Sequence, residues 1–234
     1  MPVQGLAPRI QESVGAGDQL SPSLLLGLAY QVQPVCIAHA WGGQMIDLES
    51  LSAGCAVIVD PDGPDGFSHV ATAWSLAPGE WVTAVAPREP APSWRLLLAH
   101  SGELATMESW EEDGPLHGFR SVAAPTLTPA EDGDLTKRMS LQGFGYACVI
   151  DHPAFTLHHR SLSAELYLPY LCPWSIVGHL VLFTPQEGFL AGAQYPGMAG
   201  GPVCDSRTGQ VVGVLLPADS DPGCPPLTRF HRLL

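Results

Sequence analysis

A glycine-rich segment at residues 194–203 has the composition of a loop that presents backbone N–H groups. Its glycines are Gly197, Gly200 and Gly201. Glycine lets the backbone turn tightly enough for N–H groups to face one point and stabilise a developing negative charge. Ala199, within this segment, carries a methyl group, which has no lone pair and cannot form an acyl-enzyme. The segment therefore suits stabilisation of negative charge but offers no nucleophile at Ala199.

This segment, the turn at 205–209 and the strand-like run 210–214 together resemble the nucleophile loop of trypsin-like (chymotrypsin-fold) serine proteases, especially bacterial members. In that family G-x-S-G-G-P precedes a hairpin. The resemblance implies that the N–H groups of Gly197 and Ala199 form an oxyanion hole and that Ala199 stands at the nucleophile position. It therefore implies an oxyanion hole without a nucleophile. It also places Ala193, six residues earlier, at the base of the specificity pocket, which would then lack an acidic group and suit an apolar side chain.

A second segment, residues 71–86, resembles the family's other signature, in which a Pro-Gly turn leads into W-V-T-A-x-H. Its register places the general base at Ala86, and alanine cannot accept a proton. The family's acid opens a D-[VIL]-A strand, and the best match, residues 121–125, puts Ser121 at that position. The resemblance covers residues 32–234 and implies a catalytically degenerate member of the family, a pseudoprotease.

Three other side chains could in principle supply chemistry. His39 is a fallback general base, although it precedes the well-matched segment. His69 is expected to be an alternating strand residue, because the Thr-Ala context follows it. Cys204 lies five residues after Ala199 and is expected to be buried packing.

No metal site or cofactor is expected. His158 and His159 are adjacent on a predicted strand and so point to opposite faces. The acidic run 60–66 lacks the spacing of a calcium-binding loop and is expected to be a hairpin loop. The acidic run 108–114 is expected to be a solvated loop, with a docking surface for a basic partner as the alternative.

Composition limits the partners. Of the 234 residues, 46% are hydrophobic, and ten Lys and Arg face 23 Asp and Glu, for a net charge of −13. Such a field repels nucleic acid and anionic membrane surfaces. No apolar run approaches the roughly 18 residues of a membrane span, and no basic leader is apparent, so we expect a cytoplasmic protein. The six cysteines are expected to be mostly free thiols.

Glycine and proline, 25 and 23 residues, separate short apolar runs and indicate an all-β fold of two packed β-barrels. We expect an N-terminal extension over 1–31 with a short helix at 24–30, then the protease-like domain over 32–234. Within it lie a first barrel (32–125), a linker (125–139) and a second barrel (140–234). The predicted strands are 32–41, 54–60, 69–77, 80–85, 94–99, 120–124, 140–150, 154–163, 176–183, 203–204 and 210–216, and the stretch 227–234 is a strand or helical turn.

Three functions remain open at this point. The first is a pseudoprotease that acts as a scaffold or regulatory module by binding a protein or peptide, with strand addition as one way to hold a peptide. The second is a genuine serine endopeptidase whose nucleophile has been substituted by Ala199. The third is a structural module without a peptide cleft. The oligomeric state is not predicted.

Overall fold

The structure is a computed structural model that describes residues 45–63, 66–85, 90–131, 135–136, 138–148, 171–218 and 227–233. All of these belong to one compact unit, Pro34–Leu234. The predicted helix at 24–30 and the predicted strands at 32–41 and 154–163 lie outside the described residues, as do His39, Ala86, His158 and His159. No helix in the described ranges is long and apolar enough to cross a membrane.

A short helix, α1 (Leu48–Ala53), precedes the first sheet and was not expected. Its cap explains it: an Asp47 carboxylate oxygen accepts a hydrogen bond from the Ser50 N–H at 3.1 Å and satisfies one of the free donors of the first turn. Leu51 is the residue that α1 buries.

The first half of the described chain forms one seven-stranded antiparallel sheet rather than a closed barrel. Tight turns join its strands, including the predicted Pro78-Gly79 turn between β2 and β3. The order across the sheet is β5-β4-β1-β2-β3-β7-β6. The strands are β1 (Cys55–Gly63), β2 (Gly66–Ala77), β3 (Glu80–Thr83), β4 (Arg95–Leu97), β5 (Leu104–Ala105), β6 (Glu108–Asp113) and β7 (Leu116–Arg120).

The second half forms a closed six-stranded barrel in the order β10-β13-β12-β11-β8-β9. Together with the first sheet it confirms the all-β class. Its strands are β8 (Ser140–Cys148), β9 (Leu171–Phe183), β10 (Glu187–Ala191), β11 (Pro202–Asp205), β12 (Val211–Leu215) and β13 (Leu227–Arg232).

Strand β1 buries both of its faces, which its unbroken apolar sequence allows. Ala56 and Ile58 pack in the core of the first sheet. Cys55 and Val57 point the other way, into a cluster that also contains Phe144 and Tyr146 of β8. The sheet and the barrel therefore share one apolar interface, and the ends of β2 and β3 lie against the second half.

Two predictions in the first sheet were wrong. Residues 108–114 are not a loop, because β6 covers most of them and Trp110 stacks on Phe119 with 5.6 Å between ring centroids, but the rest of the run is exposed, as predicted. The strand expected at 120–124 is instead β7, which ends at Arg120. In the barrel, β10 was not predicted.

Candidate functional site

The loop between β10 and β11 carries the glycine-rich segment, and two of its glycines have the left-handed backbone that favours glycine. Gly197 has φ 90° and Gly200 has φ 84°. A side chain at 200 would also collide with the backbone oxygen of Thr72 and the hydroxyl of Thr83. The loop therefore packs directly onto β2 and β3, and only glycine permits that approach.

Backbone hydrogen bonds hold the loop from both halves of the molecule. The Thr72 N–H of β2 donates to the Ala199 carbonyl at 2.8 Å, and the Gly200 N–H donates to the Leu215 carbonyl of β12 at 2.7 Å. Within the loop, the Gly201 N–H donates to the Met198 carbonyl at 3.1 Å. The peptide planes that flank Ala199 are thereby fixed.

Thr72 is the central contact of the site, although its side chain had no predicted role. Its hydroxyl donates to the Gly197 carbonyl at 2.9 Å and accepts from the Tyr146 N–H of β8 at 2.9 Å. Its own carbonyl accepts from the Thr83 hydroxyl at 2.7 Å. This buried residue joins β2, β3, β8 and the loop. Its bonds with Thr83 and Tyr146 are buried, where hydrogen bonds are strong, and its bond to Gly197 is partly buried.

His69 contacts the same carbonyl. Its Nε2 lies 3.1 Å from the Gly197 oxygen, and because a carbonyl only accepts, Nε2 carries the proton. Burial lowers the pKa of His69 to about 4, although its hydrogen bonds to the backbone of Gly197 and Ala71 act in the opposite direction. The side chain is therefore neutral near pH 7. We expected only a strand residue here, and the sequence carried no signal of a contact 128 residues away.

The two N–H groups of the predicted oxyanion hole remain available for a ligand. Across the described ranges, neither the Gly197 N–H nor the Ala199 N–H donates a hydrogen bond. The Gly197 carbonyl accepts from Thr72 and His69, whereas these two N–H groups donate to no described residue.

Ala199, the predicted nucleophile position, offers only a methyl group and is partly buried. The nearest thiol along the chain, Cys204, is fully buried in β11. Burial, and secondarily the charge of Asp205, raises the pKa of this thiol to about 12, so Cys204 is not a reactive thiolate.

Ala86, the predicted general-base position, lies outside the described residues, but the strand that precedes it is described. β3 ends at Thr83, and Gly200 lies directly against Thr83 and the Ala84 N–H. The two segments that resemble the protease signatures therefore meet in the structure.

Ser121, by contrast, is not brought to the loop. Its N–H donates to Gly79 at 3.0 Å, at the turn that begins β3, and its hydroxyl donates to Thr106 at 2.7 Å. At the end of β3 near the loop, Thr83 pairs with His117 of β7. Four residues of strand, about 13 Å, separate that point from Ser121. The prediction for Ser121 rested on a strand that begins at 120, whereas β7 ends there.

The surroundings of the specificity position are apolar. Ala193 is exposed and Met198 is buried. Tyr195, 45% exposed, packs edge-on against Trp174 of β9 with 4.8 Å between ring centroids. Residues 192–201 contain no carboxylate. Nor do three His, Cys, Asp or Glu side chains cluster as a metal site anywhere in the described ranges.

No protein-family model matches the chain, and neither does any curated protein. Solved structures do. The active form of the Rv3671c protease from M. tuberculosis matches with TM-score 0.58 at 12% identity, over 79% of this chain and 78% of that one. A Glu endopeptidase matches with TM-score 0.57 at 10% identity, over 81% and 89%. A human pathogenic astrovirus serine protease matches with TM-score 0.50 at 13% identity, over 82% and 94%.

At these identities the likeness shows the fold alone. The antiparallel sheet, the closed barrel and the glycine-rich loop between β10 and β11 give this chain the double-barrel fold of the trypsin-like, chymotrypsin-fold serine proteases.

Proposed function

We propose that this chain is a pseudoprotease that binds a protein or peptide at the loop between β10 and β11 and does not hydrolyse it. The observation that carries the proposal is Ala199. A methyl group stands at the nucleophile position of a loop whose backbone is otherwise held by Thr72 and Leu215. Without an attacking atom, neither an acyl-enzyme nor its tetrahedral precursor can form.

The other groups near the loop support the same conclusion. The sequence has alanine at the general-base position, Ala86. The imidazole of His69 is close, but its Nε2 proton is directed at the Gly197 carbonyl, so this nitrogen cannot act as a base toward a ligand. Cys204 is buried and protonated near pH 7.

The features suited to binding are retained. The N–H groups of Gly197 and Ala199 are free to donate among the described residues, and the same loop carries the exposed Tyr195. The net charge of −13 favours a protein or peptide partner over nucleic acid.

The variant Ala199→Ser tests the absence of catalysis. It supplies a hydroxyl and leaves position 86 unchanged, so we expect no cleavage of labelled casein and no reaction with a fluorophosphonate probe. Ala193→Ser is the matched control, since it adds the same hydroxyl outside the nucleophile position. Cleavage by Ala199→Ser well above this control would contradict the proposal and reveal a serine protease with a base elsewhere and a substituted nucleophile.

Amide hydrogen exchange tests the binding. A pool of random-sequence peptides should slow exchange at residues 194–201 in a saturable manner. Tyr195→Ala should weaken this protection, whereas Leu104→Ala, which truncates a similarly exposed side chain (40%) on β5, should not. If no peptide protects the loop, or if both variants behave alike, the loop is not the binding site.

A further inference from the structure

Half of the exposed large apolar side chains in the described residues lie on one outer face of the barrel. They are Val181 and Leu182 of β9, 50% and 56% exposed, and Leu227 of β13, 41% exposed. Phe189 and Ala191 of β10 lie on the same face, the first half-buried and the second exposed. We call these residues the outer patch. Contiguous exposed apolar side chains mark a contact surface, whereas singly scattered ones do not.

Strand pairing places the outer patch on a single surface. Phe189 pairs with Leu182 of β9 on one side and with Arg229 of β13 on the other, and Ala191 pairs with Leu227. Val181 is the extra residue of a bulge in β9. Side chains alternate between the two faces of a strand, so the intervening ones point into the barrel. These intervening residues are buried: Leu180, Gly188, Leu190, Thr228 and Phe230.

The strands of the outer patch are poor in acidic residues for a chain of net charge −13. Of the 23 Asp and Glu residues, β9, β10 and β13 contain only Glu187, alongside Arg229 and Arg232. By contrast, β6 alone carries four carboxylates. Two copies of a strongly acidic chain repel each other, and the repulsion is weaker where carboxylates are few. The outer patch is therefore a face that two copies can bring together.

The outer patch is bordered by one acidic and one basic side chain that already lie close together. The Arg229 Nη1 is 4.0 Å from the Glu187 carboxylate, and the two side chains are 34% and 35% exposed. A two-fold contact presents the same surface on both copies, so charge pairing across it requires both signs on that surface. Glu187 and Arg229 meet this requirement.

We propose that two copies of this chain associate through the outer patch as a two-fold dimer. Apolar side chains form the centre of the contact, and Glu187 and Arg229 form its polar rim. A stable dimer buries about 800 Å² on each partner. Three strands and a length of five residues span only about 14 by 17 Å, so we expect a weak, concentration-dependent dimer. This proposal is independent of peptide binding at the loop between β10 and β11.

A membrane surface is the other occupant that suits exposed apolar side chains. The net charge of −13 opposes the approach to anionic headgroups. The two arginines of β13 also have partners within the chain. Arg229 pairs with Glu187, and Arg232 donates to the carbonyls of Thr184 and Pro185 at 2.8 and 3.2 Å. These observations favour a second copy of the chain over a lipid surface.

Sedimentation velocity tests the dimer. From about 10 μM to about 1 mM protein at physiological salt, the weight-average mass should rise toward twice that of the monomer. Leu182→Glu places a carboxylate at the centre of the contact and should raise the dimer Kd about tenfold or more, which is about 1.4 kcal/mol. Leu104→Glu is the matched control on β5, where the side chain is 40% exposed, and should associate as the parent does. Circular dichroism verifies that both variants are folded.

A charge exchange tests the two-fold arrangement. Glu187→Arg leaves only positive charge at the rim and should weaken the dimer. Adding Arg229→Glu to that variant restores both signs on the surface and should restore association. Equal association of the single and the double variant would contradict the two-fold arrangement. Leu182→Glu keeps the test decisive if either charge variant fails to fold.

The remaining outcomes also decide the proposal. A monomer at every concentration would overturn it, and so would a dimer that Leu182→Glu leaves unchanged or an assembly larger than a dimer. Flotation with phosphatidylcholine vesicles, with and without phosphatidylserine, tests the membrane alternative. A monomer that binds vesicles through Leu182 would assign the outer patch to a lipid surface instead.

Discussion

At the scale of single residues, the loop depends on two side chains that converge on one oxygen. The Thr72 hydroxyl and the His69 Nε2 both donate to the Gly197 carbonyl, at 2.9 and 3.1 Å. Replacing either donor removes one hydrogen bond from the Gly197 carbonyl. A buried carbonyl that keeps no partner costs about 1–3 kcal/mol of unfolding free energy. The sequence placed Thr72 within a signature, but neither pattern nor spacing could reveal its contacts.

His69 should make stability depend on pH. Burial holds its pKa at about 4 in the folded chain, against 6.5 as the ordinary value. Between these values the unfolded chain takes up a proton that the folded chain does not. The free energy of unfolding attributable to His69 is therefore full above pH 6.5 and decreases as the pH falls toward 4.

The variant His69→Gln keeps an N–H donor for the Gly197 carbonyl but does not titrate. Urea unfolding should show a larger loss of stability from about pH 7 to about pH 5 in the parent chain than in this variant. The control variant His100→Gln, changed at an exposed histidine, should lose as much stability over this pH range as the parent chain. Equal losses in the parent and His69→Gln would contradict the prediction.

At the scale of elements, the loop approaches β2 and β3 so closely that residue 200 has no room for a Cβ atom. Gly200 and Gly209 both have left-handed φ, 84° and 75°, but a Cβ at 209 would meet nothing within 4 Å, whereas at 200 it would collide with Thr72 and Thr83. Gly209→Ala should cost about 1–2 kcal/mol of unfolding free energy for the backbone alone.

Gly200→Ala carries the same backbone cost and must also displace two strands, so we expect a loss of about 4 kcal/mol or more, or failure to fold. Urea unfolding of both variants gives the comparison. A Gly200→Ala chain as stable as the Gly209→Ala chain would show that the loop does not pack on β2 and β3 as described.

The elements also show what the sequence could predict. β1, β2 and β3 lie close to their predicted positions because apolar runs and the Pro78-Gly79 turn mark them. β6 was missed because its acidic residues suggest solvent, while Trp110 alone fixes its inner face. The strand predicted at 120–124 lies four residues too late, so Ser121, matched to a residue that opens a strand, instead follows the end of β7. The register between strands, which sets that position, depends on pairing partners that are distant in the sequence.

At the scale of the whole molecule, one apolar cluster belongs to both the first sheet and the second barrel. It contains Cys55 of β1 and Cys204 of β11, both buried free thiols, which confirms that prediction for these two cysteines. Since the two halves bury this surface against each other, neither can expose it without unfolding at the interface. The site loop, held by β2 and by β12, spans the same interface.

The two thiols therefore report on whether the halves unfold together. Burial, and secondarily Cys204, raises the pKa of the Cys55 thiol well above its ordinary value, and the pKa of Cys204 is raised to about 12. Because only the thiolate reacts, iodoacetamide should leave both residues unmodified in the native chain, as peptide mapping by mass spectrometry would show. With increasing urea, both should become labelled over one transition, coincident with the loss of circular dichroism. Labelling of Cys55 at clearly lower urea than Cys204, or the reverse, would mean that one half opens while the other stays folded, and that the loop between them is not held by a single cooperative unit.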